Sequence, residues 1–111
     1  MQGASRSELA AELEQSGRLA EQTAQRYVER HRERVAADLV SGLLLAAAAL
    51  ETAGRVVDER GTARDTALMI ARTLVGDAID AVERRGLDEM LLHCAAGLRR
   101  VAALCDRELG T

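Results

Sequence analysis

Histidine and cysteine are the residue types of this 111-residue chain that most often take part in catalysis or metal binding, and there are two of each. His31 lies in the charged segment Arg30-His31-Arg32-Glu33-Arg34, three residues after Val28 and four before Val35, so that on a helix it faces an apolar seam. The arginines on both sides disfavour a proton-accepting or metal-binding role. We interpret His31 as a partly buried structural residue.

The two cysteines, Cys94 and Cys105, lie on one predicted helix. They are about 16 Å apart along its axis, which is too far for a disulfide bond. No clustered cysteine and histidine spacing supplies a set of zinc ligands. Glu89 and His93 stand alone, four residues apart, whereas a di-iron carboxylate bundle needs several inward glutamates. We therefore predict reduced core thiols, no metal, no cofactor and no enzymatic activity.

His93 is followed four residues later by Gly97, one helical turn away on the same side. This spacing resembles that of histidine phosphotransfer domains, which are helical bundles that accept a phosphoryl group on a histidine with a glycine at that distance. Ala96 occupies the position at which that family usually has a lysine that helps to bind the phosphoryl group. The resemblance implies His93 as a phosphoacceptor, and the alternative is a histidine on the flank or in the core of a bundle.

The elements that position these side chains are predicted to be helices throughout. Proline, lysine, asparagine, phenylalanine and tryptophan are absent, and 48% of the residues are apolar. A chain of this length is typical of one domain, so we predict a single all-α domain over residues 1–111. The 15 basic and 18 acidic residues alternate along the chain, and a basic stripe or stacking aromatics that would indicate nucleic-acid binding are missing.

Capping residues and glycines divide the chain into four predicted helices, over about 5–15, 18–53, 63–85 and 88–109. The first begins at a capping box, Ser5 to Glu8, and ends at Ser16-Gly17, and no strong breaker interrupts the long second helix before Gly54. The last two carry apolar residues at alternating spacings of three and four, which is typical of a packed helical seam. We predict a three- to four-helix antiparallel bundle in which these two helices form a hairpin.

A bundle rich in alanine has a thin core, because alanine buries little area and Tyr27 is the only aromatic residue. Small domains leave much of their surface exposed, so we expect homodimerisation to complete the bundle. The predicted interface lies on the long helix and comprises Tyr27, Val28, His31, Val35 and Leu39. A bundle with few large side chains also leaves room for an apolar cavity, and a small-ligand-binding protein is therefore an alternative.

The string Glu33-Arg-Val-Ala-Ala-Asp-Leu-Val-Ser-Gly-Leu43 resembles the dimerisation helix of sensor histidine kinases that partner helix-turn-helix response regulators. Val40 occupies the position of the phosphorylated histidine in that family, and Ser41 follows it where an acidic residue is usual. The resemblance covers about twenty residues. It implies an architecture, an antiparallel helical hairpin that pairs with a second copy into a four-helix bundle.

We predict from these observations a non-catalytic helical interaction or dimerisation module with a regulatory or adaptor role. Its expected partners are a second copy of the chain or another helical protein, with neither nucleic acid nor membrane. The longest apolar run, Leu43–Leu50, is far below the ~20 residues that span a bilayer, and a secretory signal pattern is missing from the N-terminus, so the expected location is the cytoplasm. The alternatives are phosphotransfer through His93 and small-ligand binding.

Overall fold

A computed structural model describes residues 7–59, 61–85 and 88–110, and all regular structure in these ranges is helical. Helix α1 spans Glu8–His31 and is followed by a short 3-10 turn at Arg32–Arg34. Helices α2, α3 and α4 span Ala37–Val56, Thr62–Arg85 and Glu89–Leu109. Each helix packs against the next one in the chain, and α4 packs against α1. The prediction of an all-α bundle is confirmed.

Consecutive helices run antiparallel. Between α3 and α4, Arg64 pairs with Glu108 at 2.6 Å and Arg72 pairs with Asp106 at 2.9 Å, so that residue numbers rise along one helix as they fall along the other. Between α1 and α4, Arg30 pairs with Asp88 at 3.4 Å. The last two helices also match the predicted ranges 63–85 and 88–109 closely, and their antiparallel hairpin is confirmed.

The predicted division of the first half of the chain is wrong, because the helix expected over 18–53 is broken by a reversal between His31 and Ala37. Helix α1 ends where Arg32 adopts a φ of +38° and donates its backbone N–H to the carbonyl oxygen of Val28. The Tyr27 hydroxyl then accepts a hydrogen bond from the backbone N–H of Ala36 at 3.2 Å. The reversal lets α2 fold back along α1, and Leu39, Leu43 and Leu50 of α2 are buried in the bundle.

Gly17 and Gly54 do not end helices, contrary to prediction, but lie buried inside α1 and α2. A Cβ atom at Gly17 would lie 3.1 Å from the carbonyl oxygen of Ala47, and one at Gly54 would lie 3.2 Å from that of Ala10. Ala10, Gly17 and Ala24 are spaced by seven residues along α1, as are Ala47 and Gly54 along α2. Small residues at this spacing let the two backbones approach closely, which explains why both glycines occur within helices.

Local interactions fix the other helix ends. The Ser7 hydroxyl caps α1 by accepting a hydrogen bond from the Ala10 N–H at 3.0 Å, whereas the predicted cap at Ser5 lies outside the described residues. Asp88 caps α4 through one carboxylate oxygen, which accepts hydrogen bonds from the backbone N–H groups of Met90 and Leu91. Gly61, with a φ of +104°, precedes α3, and Gly86, which separates the predicted helices over 63–85 and 88–109, lies outside the described residues.

The four helices enclose one apolar core in which leucine, valine and alanine predominate and Tyr27 is the aromatic residue. The predicted seam of α3 is buried along its whole length, and so is that of α4 from Leu91 onward. Leu87, which precedes the predicted helix over 88–109, is outside the described residues. The largest fully buried side chains are Leu13, Leu39, Leu43, Leu50, Leu68, Leu91 and Leu98.

Replacing Gly17 with alanine tests the close approach of α1 and α2, and the same replacement at Gly42, which faces α3, is the comparison. A methyl group at Gly17 meets a backbone carbonyl that cannot move freely, so we expect Gly17→Ala to lower the free energy of unfolding by about 1 kcal/mol, as overpacking does. At Gly42 a Cβ atom has ordinary contacts, the nearest being the Ala78 Cα at 3.6 Å. Gly42→Ala should therefore gain up to about 1 kcal/mol of helix propensity. Urea denaturation measures both, and equal stabilisation by the two variants contradicts the tight contact.

Candidate interaction surface

The two thiols lie in the core, where they are poorly placed for chemistry. Cys94 and Cys105 are free and buried. Burial raises the pKa of the Cys94 thiol, against the opposing effect of a hydrogen bond with the Thr23 hydroxyl. Burial, together with the charge of the neighbouring Asp106, raises the pKa of Cys105 to about 11. Among the described residues, no group of three or more histidine, cysteine, aspartate or glutamate side chains could hold a metal ion.

His31 lies at the end of α1, and its contacts are those of a structural residue. Its ring packs on that of Tyr27, with the ring centroids 4.5 Å apart. Its Nε2 atom is 3.9 Å from a carboxylate oxygen of Asp88, the residue that also caps α4 and pairs with Arg30. The histidine therefore lies half-buried between the end of α1 and the beginning of α4.

The five residues predicted to form the interface gather around the chain reversal instead of along one exposed helix. Tyr27 and Leu39 are in the core of the protomer, and His31 and Val35 are half-buried. Val28 is the member of this set with an exposed side chain, at 40%. A partner chain would therefore reach Val28 but could not pack directly against Tyr27 or Leu39.

The outer side of α2 is an exposed apolar surface that lies opposite the buried side of the same helix. Leu44 and Leu45 are 44% and 54% exposed. Val28 of α1 borders a depression of about 300 Å³ beside Leu44, and Ile70 of α3 borders one of about 280 Å³ beside Leu45. We call this surface the α2 face and define it as Ser41, Leu44, Leu45, Ala48 and Thr52, with Val28 and Ile70 at its edges.

The apolar character of α2 extends around its whole circumference. Of the helices within the described residues, Ala37–Val56 is the one whose length and composition could cross a membrane, with a mean hydropathy of 1.5 and 39% of its most apolar stretch buried. Core helices of soluble bundles have the same length and composition. The sequence already contained the signal for the α2 face, because eight consecutive apolar residues over Leu43–Leu50 cover every side of a helix and a bundle buries only one side.

His93 is exposed on α4, and its surroundings explain the glycine that follows it. A Cβ atom at Gly97 would lie 2.6 Å from a methyl carbon of Leu19, so this glycine admits the side chain of α1. A guanidinium nitrogen of Arg100 is 3.7 Å from the same Cβ position. A cation is therefore placed over Gly97, one helical turn from His93, on a helix where Ala96 supplies none.

Thiol labelling tests the core position of both cysteines. Because the pKa values of both thiols are raised, they stay protonated at pH 8 and present little nucleophilic thiolate. We expect iodoacetamide to modify the folded protein at least about tenfold more slowly than the urea-unfolded chain. Equal labelling rates in the two states would place the thiols at the surface.

The thiol of Cys105 stays neutral until the pH approaches 11, so its contribution to stability is complete below pH 9 and is lost between pH 9 and 11.

Comparison of the chain with protein-family models, curated proteins and solved structures finds no match. The resemblances to phosphotransfer domains and to the dimerisation helix of sensor histidine kinases therefore stay hypotheses based on short stretches of sequence.

Proposed function

We propose that this protein is a non-catalytic helical interaction module that forms a homodimer through the α2 face. The observation that carries the proposal is the pair Leu44 and Leu45, exposed on a helix with no charged residue between Asp38 and Glu51. Contiguous exposed apolar surface on a soluble protein usually marks a site of interaction. A homodimer covers this surface in both copies with one isologous contact.

The α2 face is complementary to itself when two copies of α2 cross in an antiparallel direction. A two-fold axis between Ala46 and Ala47 places Leu45 of one copy against Ala48 of the second, a large side chain against a small one. The same register places Ser41 opposite Thr52, so that polar residues meet on both sides of the apolar centre. Packing of large against small residues is the usual way in which helix surfaces interdigitate.

Charges at the two ends of the α2 face support the same register. The axis that pairs Leu45 with Ala48 brings Asp38 of one copy near Arg55 of the second. Asp38 binds the Arg85 guanidinium at 2.7 Å and the Arg84 guanidinium at 3.5 Å, and these contacts lower the pKa of its carboxyl and keep it ionised. Arg55 is exposed and has no ion pair among the described residues. The antiparallel direction also places the negative end of one helix dipole beside the positive end of the other.

A dimer of this kind displays the remaining helices in two copies, which suits a regulatory or adaptor role. The reduced, buried thiols fit the cytoplasmic location expected from the sequence. Another helical protein that uses the same face would be an alternative partner, and the oligomeric state of the purified chain distinguishes the two cases.

Charge placed in the centre of the α2 face should separate the subunits. We expect Leu45→Glu to weaken self-association by more than about tenfold, because the dimer would bury an unpaired carboxylate next to its two-fold axis. The free energy of unfolding of the monomer should change by less than about 0.5 kcal/mol, since Leu45 is 54% exposed. Sedimentation velocity over a range of protein concentrations measures the association.

Met69→Glu is the matched control, because Met69 is 58% exposed on α3 and lies outside the α2 face. This variant should associate as the parent does. The proposal fails if the parent is monomeric at high concentration, or if the Leu45 and Met69 variants associate to the same extent.

Phosphotransfer through His93 is the second candidate, and one specific observation favours it: the Arg100 guanidinium lies beside Gly97, the residue one helical turn after the exposed His93, in a four-helix antiparallel bundle. That cation could bind a phosphoryl group where Ala96 cannot. We expect phosphoramidate to transfer its phosphoryl group to an imidazole nitrogen of His93, releasing ammonia. The product should be an acid-labile phosphohistidine, detected by phosphorus NMR.

His31→Gln and His93→Gln form a matched pair for this test, since the chain contains two histidines. Phosphorylation should persist in the first variant and disappear in the second, and Arg100→Ala should slow it by about tenfold if the guanidinium stabilises the transferred group. Labelling that survives His93→Gln, or that is unaffected by Arg100→Ala, removes this candidate.

A further inference from the structure

A second groove lies between α1 and α4, away from the α2 face. It has a volume of about 820 Å³, and an apolar floor formed by Leu9, Leu19, Val101 and Leu104. At one end the Leu19 side chain closes the groove by packing over Gly97. The described part of α1 that lines the groove, from residue 8 to residue 19, is about 17 Å long, which corresponds to three turns of helix.

The two walls of the groove carry charges of opposite sign. Glu8 and Glu12 line it on α1, one helical turn apart, and Arg100 and Arg107 line it on α4, two turns apart. Glu108 also lines the α4 side, but its carboxylate is already paired with Arg64 at 2.6 Å. The described residues contain no ion pair for any of the other four side chains. A row of carboxylates thus faces a row of guanidinium groups across an apolar floor, and both rows are available to a ligand.

We propose that this groove binds an amphipathic helix of another protein, about three turns long. The apolar side of that helix covers the leucine and valine floor, an acidic edge contacts Arg100 and Arg107, and a basic edge contacts Glu8 and Glu12. Binding of an amphipathic helix in an apolar groove is a common mode of recognition. The site is independent of the proposed dimer, because none of the residues that line the groove belongs to the α2 face.

The opposite charges of the two walls favour an amphipathic helix over other ligands. A nucleic acid or an anionic membrane would bind the arginine wall but would be repelled by the glutamate wall. A helix can present one edge to each wall. Because it can lie in the groove in either direction, its acidic edge can face the arginine wall whichever of its two edges is the acidic one. The partner is therefore defined by an apolar face flanked by one acidic and one basic edge.

Synthetic helices with different edges test the proposal. The probes are fluorescein-labelled peptides of about 14 residues, stapled to remain helical, that share a leucine face and differ in their edges. One has a Glu edge and a Lys edge, the second has two Lys edges and the third has two Glu edges. Fluorescence anisotropy with the full chain should show the mixed peptide binding at least about tenfold more tightly than the other two.

Charge reversal in the groove should change this preference. The double variant Arg100→Glu/Arg107→Glu presents acidic residues on both walls, so it should bind the Lys-edged peptide at least about tenfold more tightly than the mixed one. The control Arg18→Glu/Arg34→Glu has the same change in net charge at exposed positions outside the groove and should keep the parent's preference. Leu45→Glu should also keep it, which separates this site from the α2 face.

Three results would overturn the proposal. The first is that the parent binds all three peptides equally or binds none of them. The second is that the control pair changes the preference as much as the groove pair does. The third is that Arg100→Glu/Arg107→Glu abolishes self-association in sedimentation experiments, because a second copy of the chain would then occupy the groove.

Discussion

The close contact between α1 and α2 is the constraint on which the rest of the bundle depends. Gly17 on one helix meets Ala47 on the other, and Ala10 meets Gly54, so the two backbones approach to within contact distance of each other's carbonyl groups. This contact covers the small-residue side of α2, and α3 covers the adjacent side. The leucines on the remaining side, Leu44 and Leu45, are consequently left on the surface.

A core built from small side chains also explains why polar contacts fix the ends of the bundle. Tyr27, the single aromatic residue, holds the reversal with its hydroxyl, and Asp88 joins the end of α1 to the beginning of α4. At the opposite end, Arg64 bonds both the Val57 carbonyl oxygen and the Glu108 carboxylate. These contacts are partly exposed, so each adds little stability, but together they set the register of the helices.

The sequence predicted the fold correctly where a residue type has a single structural role. The apolar spacing of α3 and α4 can only be a seam, and both helices and their hairpin were predicted correctly. Glycine is ambiguous, since Gly17 and Gly54 serve close packing whereas Gly61 does serve a turn. The reversal at Arg32 had no signal, because an arginine takes the positive φ that usually requires glycine. The same reversal places Tyr27 and Leu39 in the core of the protomer, while Val28 stays on the surface.

The two proposed surfaces lie on different sides of the bundle, and this arrangement determines what a dimer could do. Among the described residues, no Cα atom of α2 lies within 8 Å of one in α4, because the two helices are diagonally opposite in the bundle. A dimer joined through α2 would therefore leave the α1/α4 groove of each copy open, on the sides remote from the two-fold axis. Two such grooves in one particle would bind a divalent partner more tightly than either groove alone, because the second binding event is intramolecular. Self-association would in this way strengthen binding at the groove without any direct contact between the two surfaces.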